Sequence, residues 1–240
     1  MLIDIVEVML AASKSQPTAE QDNGSTAPRS RLLSQFDSRN GLEEYLRNPD
    51  HPQVVAYDED FVVIKDLYPK ATVHLLILPR DKTKQHQHPC EAFQDGEFFS
   101  KVNKEAAKWR SIAAKELART LCPSTAPIPG RDWEREVKTG IHMNPSMNHL
   151  HIHVISRDMH SPFLRHRKHY NSFTTSFFTE LDEFPLTEEE QYSKRQDWHL
   201  RDMICWRCGM NFGNRFKALK EHLEQEFEVW RAELIKPTCT

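Results

Sequence analysis

Three histidines alternate with apolar residues in residues 148–156, which read NHLHIHVIS. Successive side chains of a β-strand point to opposite faces, so the histidines would share one face while Leu150, Ile152 and Val154 enter a core. Histidine can act as a nucleophile, a proton donor or a metal ligand near neutral pH. The segment therefore predicts a strand with one buried face and one chemically active face.

Three roles are open for these imidazoles. A structural role is the usual one for a single histidine on a strand, but the repeat and a further histidine at His142 disfavour it. Alternating histidines can also bind zinc, although no acidic residue or fourth ligand is obvious beside them. The third role is nucleophilic, because an imidazole nitrogen can displace a leaving group from phosphorus while flanking imidazoles stabilise the oxygens.

The hydrophobic pattern elsewhere predicts an α+β fold on an antiparallel sheet. A short helix is expected in residues 31–47, a long amphipathic helix in residues 96–120 and a Pro-rich loop in residues 122–130. The expected strands cover residues 53–57, 61–66, 73–78, 136–143 and 149–156. The expected organisation is a disordered leader (1–30), a catalytic domain (31–180), an acidic linker or helix (181–202) and a zinc finger (203–235).

Composition excludes some classes of protein. The net charge is -3 over 240 residues, yet basic residues crowd the region after the histidines, which favours a local phosphate-binding face. The five cysteines include one tight pair and do not form the pattern of a secreted disulfide framework. They favour a reducing compartment and one metal site. No stretch has the length of a membrane span, and a signal peptide is not expected.

The second motif lies near the C-terminus. Cys205 and Cys208 form a Cys-x-x-Cys pair, and His222 follows after apolar spacers in the order of a DNA-binding zinc finger. No second histidine follows, but Glu226 lies one helical turn further on and a carboxylate oxygen can bind zinc, whereas Glu224 points around the helix. The predicted ligands of one structural zinc are therefore Cys205, Cys208, His222 and Glu226. Zinc would hold so small a module together.

The residues around these motifs resemble a known family. Residues 149–155 resemble the triad of the HIT superfamily, His-φ-His-φ-His-φ-φ with φ apolar, and residues 63–71 with 74–79 resemble its nucleoside pocket. Within the superfamily the chain is similar to the aprataxin branch, because of the segments on either side of the triad and the finger that follows. It resembles the fungal members, which lack a forkhead-associated domain.

The resemblance implies a HIT-like sheet and assigns roles to residues. His151 would be the nucleophile, His149 and His153 would orient it and stabilise charge, and Ser146 and His142 would contact phosphates, with His142 assisting the leaving group. The implied nucleotide-binding residues are Ile64, Asp66, Leu67 and Lys70. The implied DNA-binding residues are Lys168, His169, Asn171 and Ser172, with Arg207, Arg215, Lys217 and Lys220 of the finger, for which a solvated basic face is the alternative.

The function implied by the resemblance is DNA repair. The enzyme would remove AMP from 5′-adenylated nicked or ended DNA through a covalent His-AMP intermediate, releasing AMP and restoring a 5′-phosphate. An N-terminal helix with Leu32, Leu33 and Phe36 would abut the DNA end or pack in the core. We expect a monomer of the nucleus, with the cytoplasm as a further location, and with no membrane contact and no catalytic metal. The alternatives are a hydrolase of small nucleotides, such as dinucleoside polyphosphates or AMP-amines, and a DNA-binding protein without activity, which the intact triad disfavours.

Overall fold

A computed structural model describes residues 38–122 and 131–235. The predicted leader, the predicted helix residues Leu32, Leu33 and Phe36 and most of the Pro-rich loop lie outside these residues. The strands in the described ranges are β1 (Val54–Tyr57), β2 (Phe61–Lys65), β3 (His74–Pro79), β4 (Val137–His142), β5 (Ile152–Ser156) and β6 (Phe178–Glu180). The α-helices there are α1 (Glu43–Arg47), α2 (Pro89–Ala92), α3 (Gly96–Leu121), α4 (Arg167–Thr174), α5 (Glu188–Arg195) and α6 (Phe216–Leu234).

The strands form one antiparallel sheet in the order β1-β2-β3-β5-β4-β6. Strand β5 lies inside the sheet, so His153 pairs with Leu76 of β3 on one side and with Gly140 of β4 on the other. This arrangement confirms the predicted α+β fold with an antiparallel sheet. The strand predicted in residues 149–156 is shorter than expected, because regular pairing begins only at Ile152.

The long predicted helix is confirmed and covers one face of the sheet. Asp95 caps α3, since its Oδ1 accepts a hydrogen bond from the backbone N–H of Phe98 at 3.1 Å. The buried stripe of α3, centred on Trp109, packs in one cluster with Leu150, Ile152 and Val154. The apolar half of the triad segment therefore enters the core, as its alternation predicts. None of the described helices has the length and hydropathy needed to cross a membrane.

The opposite face of the sheet carries the histidines. Next to them, Ile64 and Leu76 pack with Leu42 and Tyr45 from the α1 region. Helix α1 stops at Arg47, and the backbone N–H of Asn48 closes its last turn, in agreement with the end of the predicted helix at residue 47. The described part of the predicted N-terminal helix is a 3₁₀ turn at Ser38–Asn40 followed by α1.

Strand β6 and helix α4 are not among the expected elements, whereas a helix is one of the two expectations for residues 181–202. Strand β6 extends the sheet beyond β4, pairing Phe178 with His142, and α4 lies in the segment after the triad. Helix α5 occupies the predicted acidic linker and begins with a capping box between Thr187 and Glu190. From its last turn, Arg195 donates from Nε to the carbonyl of Met143 at 3.2 Å. The acidic segment is thereby attached to the loop that precedes the triad.

Helix α6 connects the segment predicted as a finger to the core beneath the sheet. Trp230 and Leu234 at the end of this helix are buried in the same cluster as Trp109. The indole N–H of Trp230 also donates to Glu136 Oε2 at 3.2 Å. The position of the first half of α6, which carries His222 and Glu226, is thus set by the packing of its second half.

We predict that Gly140→Ala destabilises the fold. An added Cβ would lie 2.4 Å from the Thr179 carbonyl oxygen and 2.9 Å from the Phe178 ring, so β4 and β6 would have to separate. Overpacking of this kind costs about 1–3 kcal/mol, which urea unfolding measures. Gly96→Ala is the matched control, because a Cβ there meets no described atom within 4 Å. Equal stability of both variants would contradict the close packing of β6 on β4.

Candidate active site and zinc site

A cavity of about 610 Å³ lies on the histidine-bearing face of the sheet. This volume is in the range of small-molecule sites, and most of its lining is apolar with a few convergent polar groups. The cavity brings together most of the predicted site residues. Those that line it are Ile64, Asp66, Leu67, Lys70, His142, Ser146, His151, His153, Lys168, His169 and Ser172.

One hydrogen bond decides which nitrogen of His151 can react. Its Nδ1 lies 2.7 Å from the backbone carbonyl oxygen of His149. A carbonyl oxygen only accepts, so Nδ1 carries the proton and Nε2 carries the lone pair. Burial lowers the pKa of His151 below the ordinary value for histidine, which keeps the ring neutral. The side chain therefore has the tautomer that a nucleophile needs.

A second chain of hydrogen bonds orients His153. The backbone N–H of Lys70 donates to His74 Nδ1 at 3.2 Å, so the proton of the neutral ring lies on Nε2. That nitrogen is 3.0 Å from His153 Nδ1 and donates to it, which places the proton of His153 on Nε2. Burial lowers the pKa of His74 to about 4, so this ring is neutral in the folded protein. His153 consequently presents an N–H group and not a lone pair.

His74 is a further site residue, in the segment that resembles the nucleoside pocket, and no local sequence pattern indicates its role. It begins β3 and lines the cavity. His74 lies two residues before Leu76 on the same face of β3, and Leu76 pairs with His153, so only the strand pairing indicates that His74 faces the triad. His142 completes the group, with its ring centroid 4.5 Å from that of His153. Burial, followed by the neighbouring His151, lowers the pKa of His142 to about 3. The Nε2 atoms of His142 and His153 have no hydrogen-bond partner among the described residues.

His149 differs from its predicted place. Its ring is not among the residues that line the cavity, and lies instead against His86, with 4.4 Å between the ring centroids. The strict alternation of a strand does not apply here, because regular pairing begins after His151. The residue acts on the site through its carbonyl group, which fixes the tautomer of His151.

The prediction that Asn171 binds DNA is wrong. Its side chain is fully buried, and Nδ2 donates to the carbonyls of Trp198 at 3.1 Å and Arg201 at 2.8 Å. Asn171 therefore attaches α4 to the segment after α5. Trp198 itself was missed, since a lone aromatic in a polar segment gave little signal. It lines the cavity and stacks on Phe177, with 4.1 Å between the rings.

The side chains of the Cys-x-x-Cys motif and α6 fit a zinc ion. The ligand atoms of Cys205, Cys208 and His222 all lie within 4.8 Å of one another, and Cys208 Sγ is 3.2 Å from His222 Nε2. Glu226 Oε1 is 3.5 Å from the same nitrogen, on the ligand side of the helix. The group of mutually close ligand atoms consists of the two cysteines and His222, and Glu226 lies next to the histidine without being part of it. Two thiolates, an imidazole and a carboxylate would together be a zinc donor set. Glu224 is directed elsewhere, to His160 Nε2 at 2.7 Å, as expected for a residue that is not a ligand.

Two basic residues of the finger do not have the predicted phosphate role. Lys220 Nζ donates to the carbonyls of Ser161 at 3.3 Å and Leu164 at 3.0 Å, and Arg207 pairs with two glutamates of α6. The helix docks on the catalytic domain, a contact that local sequence does not show. Lys217 remains a candidate for phosphate contact, because its side chain is 93% exposed. Arg215 precedes α6 and donates from Nε to the Phe212 carbonyl at 3.3 Å.

Comparison with known proteins identifies the family. Residues 40–169 match the family described as the C-terminal binding domain of the scavenger mRNA decapping enzyme, and residues 174–229 match a C2HE / C2H2 / C2HC zinc-binding finger. An aprataxin-like protein of Schizosaccharomyces pombe is 32% identical over 198 residues, covering 80% of this chain and 82% of that protein. This chain belongs to the aprataxin family. A second family member, the aprataxin-like protein of Saccharomyces cerevisiae, is 36% identical over 79% of this chain and 95% of its own length.

Solved structures of the aprataxin family have the same fold. The aprataxin ortholog Hnt3 from Schizosaccharomyces pombe matches with a TM-score of 0.71 and 32% identity, covering 82% of this chain and 96% of that one. Hnt3 in complex with DNA and guanosine matches with a TM-score of 0.71 and 31% identity, covering 82% and 99%. These likenesses confirm the HIT-like sheet and the finger that follows it as aprataxin-family features.

We predict that the histidine cluster makes stability fall in acid. The folded-state pKa values of His74 and His142 are about 4 and about 3, below the unfolded value of 6.5. The unfolded chain therefore binds these protons first, and stability present above pH 6.5 is lost as the pH falls toward 4. A tenfold difference in proton affinity between the two states corresponds to about 1.4 kcal/mol, so the melting temperature should fall steeply in this window. A melting temperature that does not change between about pH 7 and about pH 4.5 would contradict the neutral, buried cluster.

Proposed function

We propose that this protein removes AMP from 5′-adenylated DNA ends and restores a 5′-phosphate, with His151 as the nucleophile. The observation that carries the proposal is the hydrogen bond from His151 Nδ1 to the His149 carbonyl, which leaves Nε2 with its lone pair in a cavity of nucleotide size. Membership of the aprataxin family supports the same activity.

The cavity offers different chemistry along its lining. Ile64 and Leu67 supply apolar surface for a base, and Asp66 supplies a carboxylate that can accept hydrogen bonds from ribose hydroxyls. Lys168 and His169 belong to α4, whose first turn lies beside the same cavity. A nucleoside held by Ile64, Leu67 and Asp66 would place its phosphate near the histidines. The attached DNA would then lie near Lys168 and His169.

In the first step, the lone pair of His151 Nε2 attacks the phosphorus of AMP. The bond from this phosphorus to the bridging oxygen breaks, and the DNA 5′-phosphate leaves with the electron pair. AMP remains on His151 through a nitrogen–phosphorus bond. The Nε2–H of His153 donates to a non-bridging oxygen and offsets the charge that develops there. Because the second pKa of a phosphate monoester is about 6, the leaving phosphate can depart unprotonated near neutral pH.

In the second step, the oxygen of a water molecule attacks the same phosphorus, the nitrogen–phosphorus bond breaks, and the proton that the water loses passes to solvent. The electron pair returns to Nε2 and AMP is released.

His142 Nε2 lies among these groups and can take up a proton once phosphate charge is bound, because that charge offsets the burial that lowers the pKa of this histidine. His142 would then supply positive charge to the leaving phosphate in the first step. Ser146 would hold a phosphate oxygen by its hydroxyl.

The finger supports this function as a DNA-binding module held by one structural zinc. The related Hnt3 was solved in complex with DNA, and the exposed Lys217 together with Arg215 can reach a phosphate backbone from the finger. Cys205, Cys208, His222 and Glu226 would bind the zinc, and the metal would stabilise the finger. We propose that the protein acts in the nucleus as a monomer.

We predict that His151→Ala abolishes turnover of a nicked duplex with a 5′-AMP cap. Loss of the nucleophile should reduce the single-turnover rate at least about 1,000-fold, whereas DNA affinity should change little. A gel assay for the 5′-phosphate product and a binding titration measure the two quantities. Turnover at the wild-type rate would show that another group attacks the phosphorus.

We predict that Lys168→Ala weakens DNA binding through the loss of a phosphate contact. The slope of log affinity against log salt should become shallower by about 0.9, since one fewer counterion would be released. Lys104→Ala is the matched control, because Lys104 is an exposed lysine of α3, on the other face of the sheet. The same change of slope in both variants would mean that Lys168 acts only through net charge.

A hydrolase of small nucleotides is the second candidate, and the size of the cavity favours it, because a space of about 610 Å³ could hold a free dinucleotide as well as a DNA end. The two candidate substrates differ in the group attached to AMP, which is DNA in one and a small molecule in the other. Removal of the finger contacts by Lys217→Ala should lower the specificity constant for adenylated DNA and leave that for an AMP-amine unchanged. Equal effects on both substrates, with faster turnover of the small one, would favour the second candidate.

A further inference from the structure

Arg207 lies between the two cysteines of the zinc motif, yet its side chain is turned toward α6. Nη1 donates to Glu226 Oε2, and Nη2 donates to Glu233 Oε1 at 2.6 Å. Only 21% of the Arg207 side chain is exposed. A guanidinium group with two carboxylate partners is held in place and is not available to a phosphate. Its contact with Glu226 connects it to the metal site.

The net charge of the proposed zinc ligands explains why Glu226 needs a positively charged partner such as Arg207. Two thiolates and one carboxylate around Zn²⁺ give a net charge of about -1, whereas two thiolates and two histidines would give about zero. The side chain of Glu226 is only 15% exposed, so water screens this excess charge weakly. The positive charge of Arg207 offsets it at the ligand itself.

The two oxygens of Glu226 face different partners. Oε1 is directed toward His222, at 3.5 Å from Nε2, while Oε2 accepts from Arg207. One oxygen is therefore on the ligand side and the other is held by the guanidinium. Such outer partners orient metal ligands and typically contribute about 10- to 100-fold to metal affinity.

We propose that Arg207 is a positioning residue of the zinc site, which holds Glu226 with one oxygen toward the metal and neutralises the charge that glutamate adds to the ligand set. This inference rests on the zinc site proposed above. It replaces the predicted DNA contact of Arg207 with a role in metal binding, and it makes the arginine necessary because the fourth ligand is a carboxylate.

The test is a zinc competition titration of the full chain against a chromogenic chelator. Arg207→Ala should weaken zinc binding about 10- to 100-fold. Arg207→Lys should recover part of this loss, because lysine keeps the charge but not the two-pronged geometry. Lys217→Ala removes the same charge from the finger surface without touching Glu226, and should leave zinc affinity unchanged. Hydrolysis of an AMP-amine by each variant verifies that the catalytic domain is folded.

The decisive comparison repeats Arg207→Ala in a Glu226→His background, where the ligand set has no excess charge. The arginine substitution should then change zinc affinity less than about 3-fold. An equal loss in both backgrounds would show a general structural role. Unchanged or tighter zinc binding by Arg207→Ala alone would show that the arginine competes with the metal for Glu226, and would overturn the proposal. A wild-type chain that binds no zinc would remove the zinc site itself.

Discussion

The fold and the site both depend on strand β5, which pairs with β3 and β4 and has an apolar face and a histidine-bearing face. Ile152 and Val154 lie under the long helix, whereas His153 lies in the cavity. A shift of register by one residue would exchange the two faces and place imidazoles in the apolar core. The pairing with β3 and β4 excludes this shift, so the fold and the alignment of the catalytic groups depend on the same hydrogen bonds.

The backbone and not another side chain selects the reactive nitrogen. The carbonyl of His149 fixes the proton of His151, and the amide of Lys70 fixes the proton of His74 and, through it, that of His153. Backbone groups cannot titrate, so these tautomers persist across a wide pH range. Burial keeps the same rings neutral by lowering their pKa values. The site is thus prepared to receive the negative charge of a phosphate without carrying charged imidazoles beforehand.

The finger and the sheet domain stabilise each other through shared packing and hydrogen bonds. Helix α6 carries the proposed zinc ligands His222 and Glu226 and ends with Trp230 and Leu234 in the main core. Along the same helix, Lys220 donates to carbonyls of the loop after the triad, and Phe227 stacks on His160 with 3.9 Å between the rings. Ser161 in this loop donates from Oγ to the Pro69 carbonyl at 2.5 Å, directly beside Lys70 of the cavity. The proposed zinc site and the nucleotide pocket are therefore linked through a continuous set of contacts.

The sequence by itself determined the parts that depend on neighbouring residues. The alternating triad segment showed which residues enter the core, the stripe of α3 showed a long amphipathic helix, and the spacing of Cys205, Cys208 and His222 indicated a metal site. Short-range periodicity carries this information. Tertiary structure alone decided the roles that need a distant partner: His74 meets His153 from another strand, Asn171 is buried against Trp198, and Arg207 pairs with Glu226 across the finger. No local pattern contains these pairs, because each forms only when the packing of the sheet, α4 and α6 brings separate segments together.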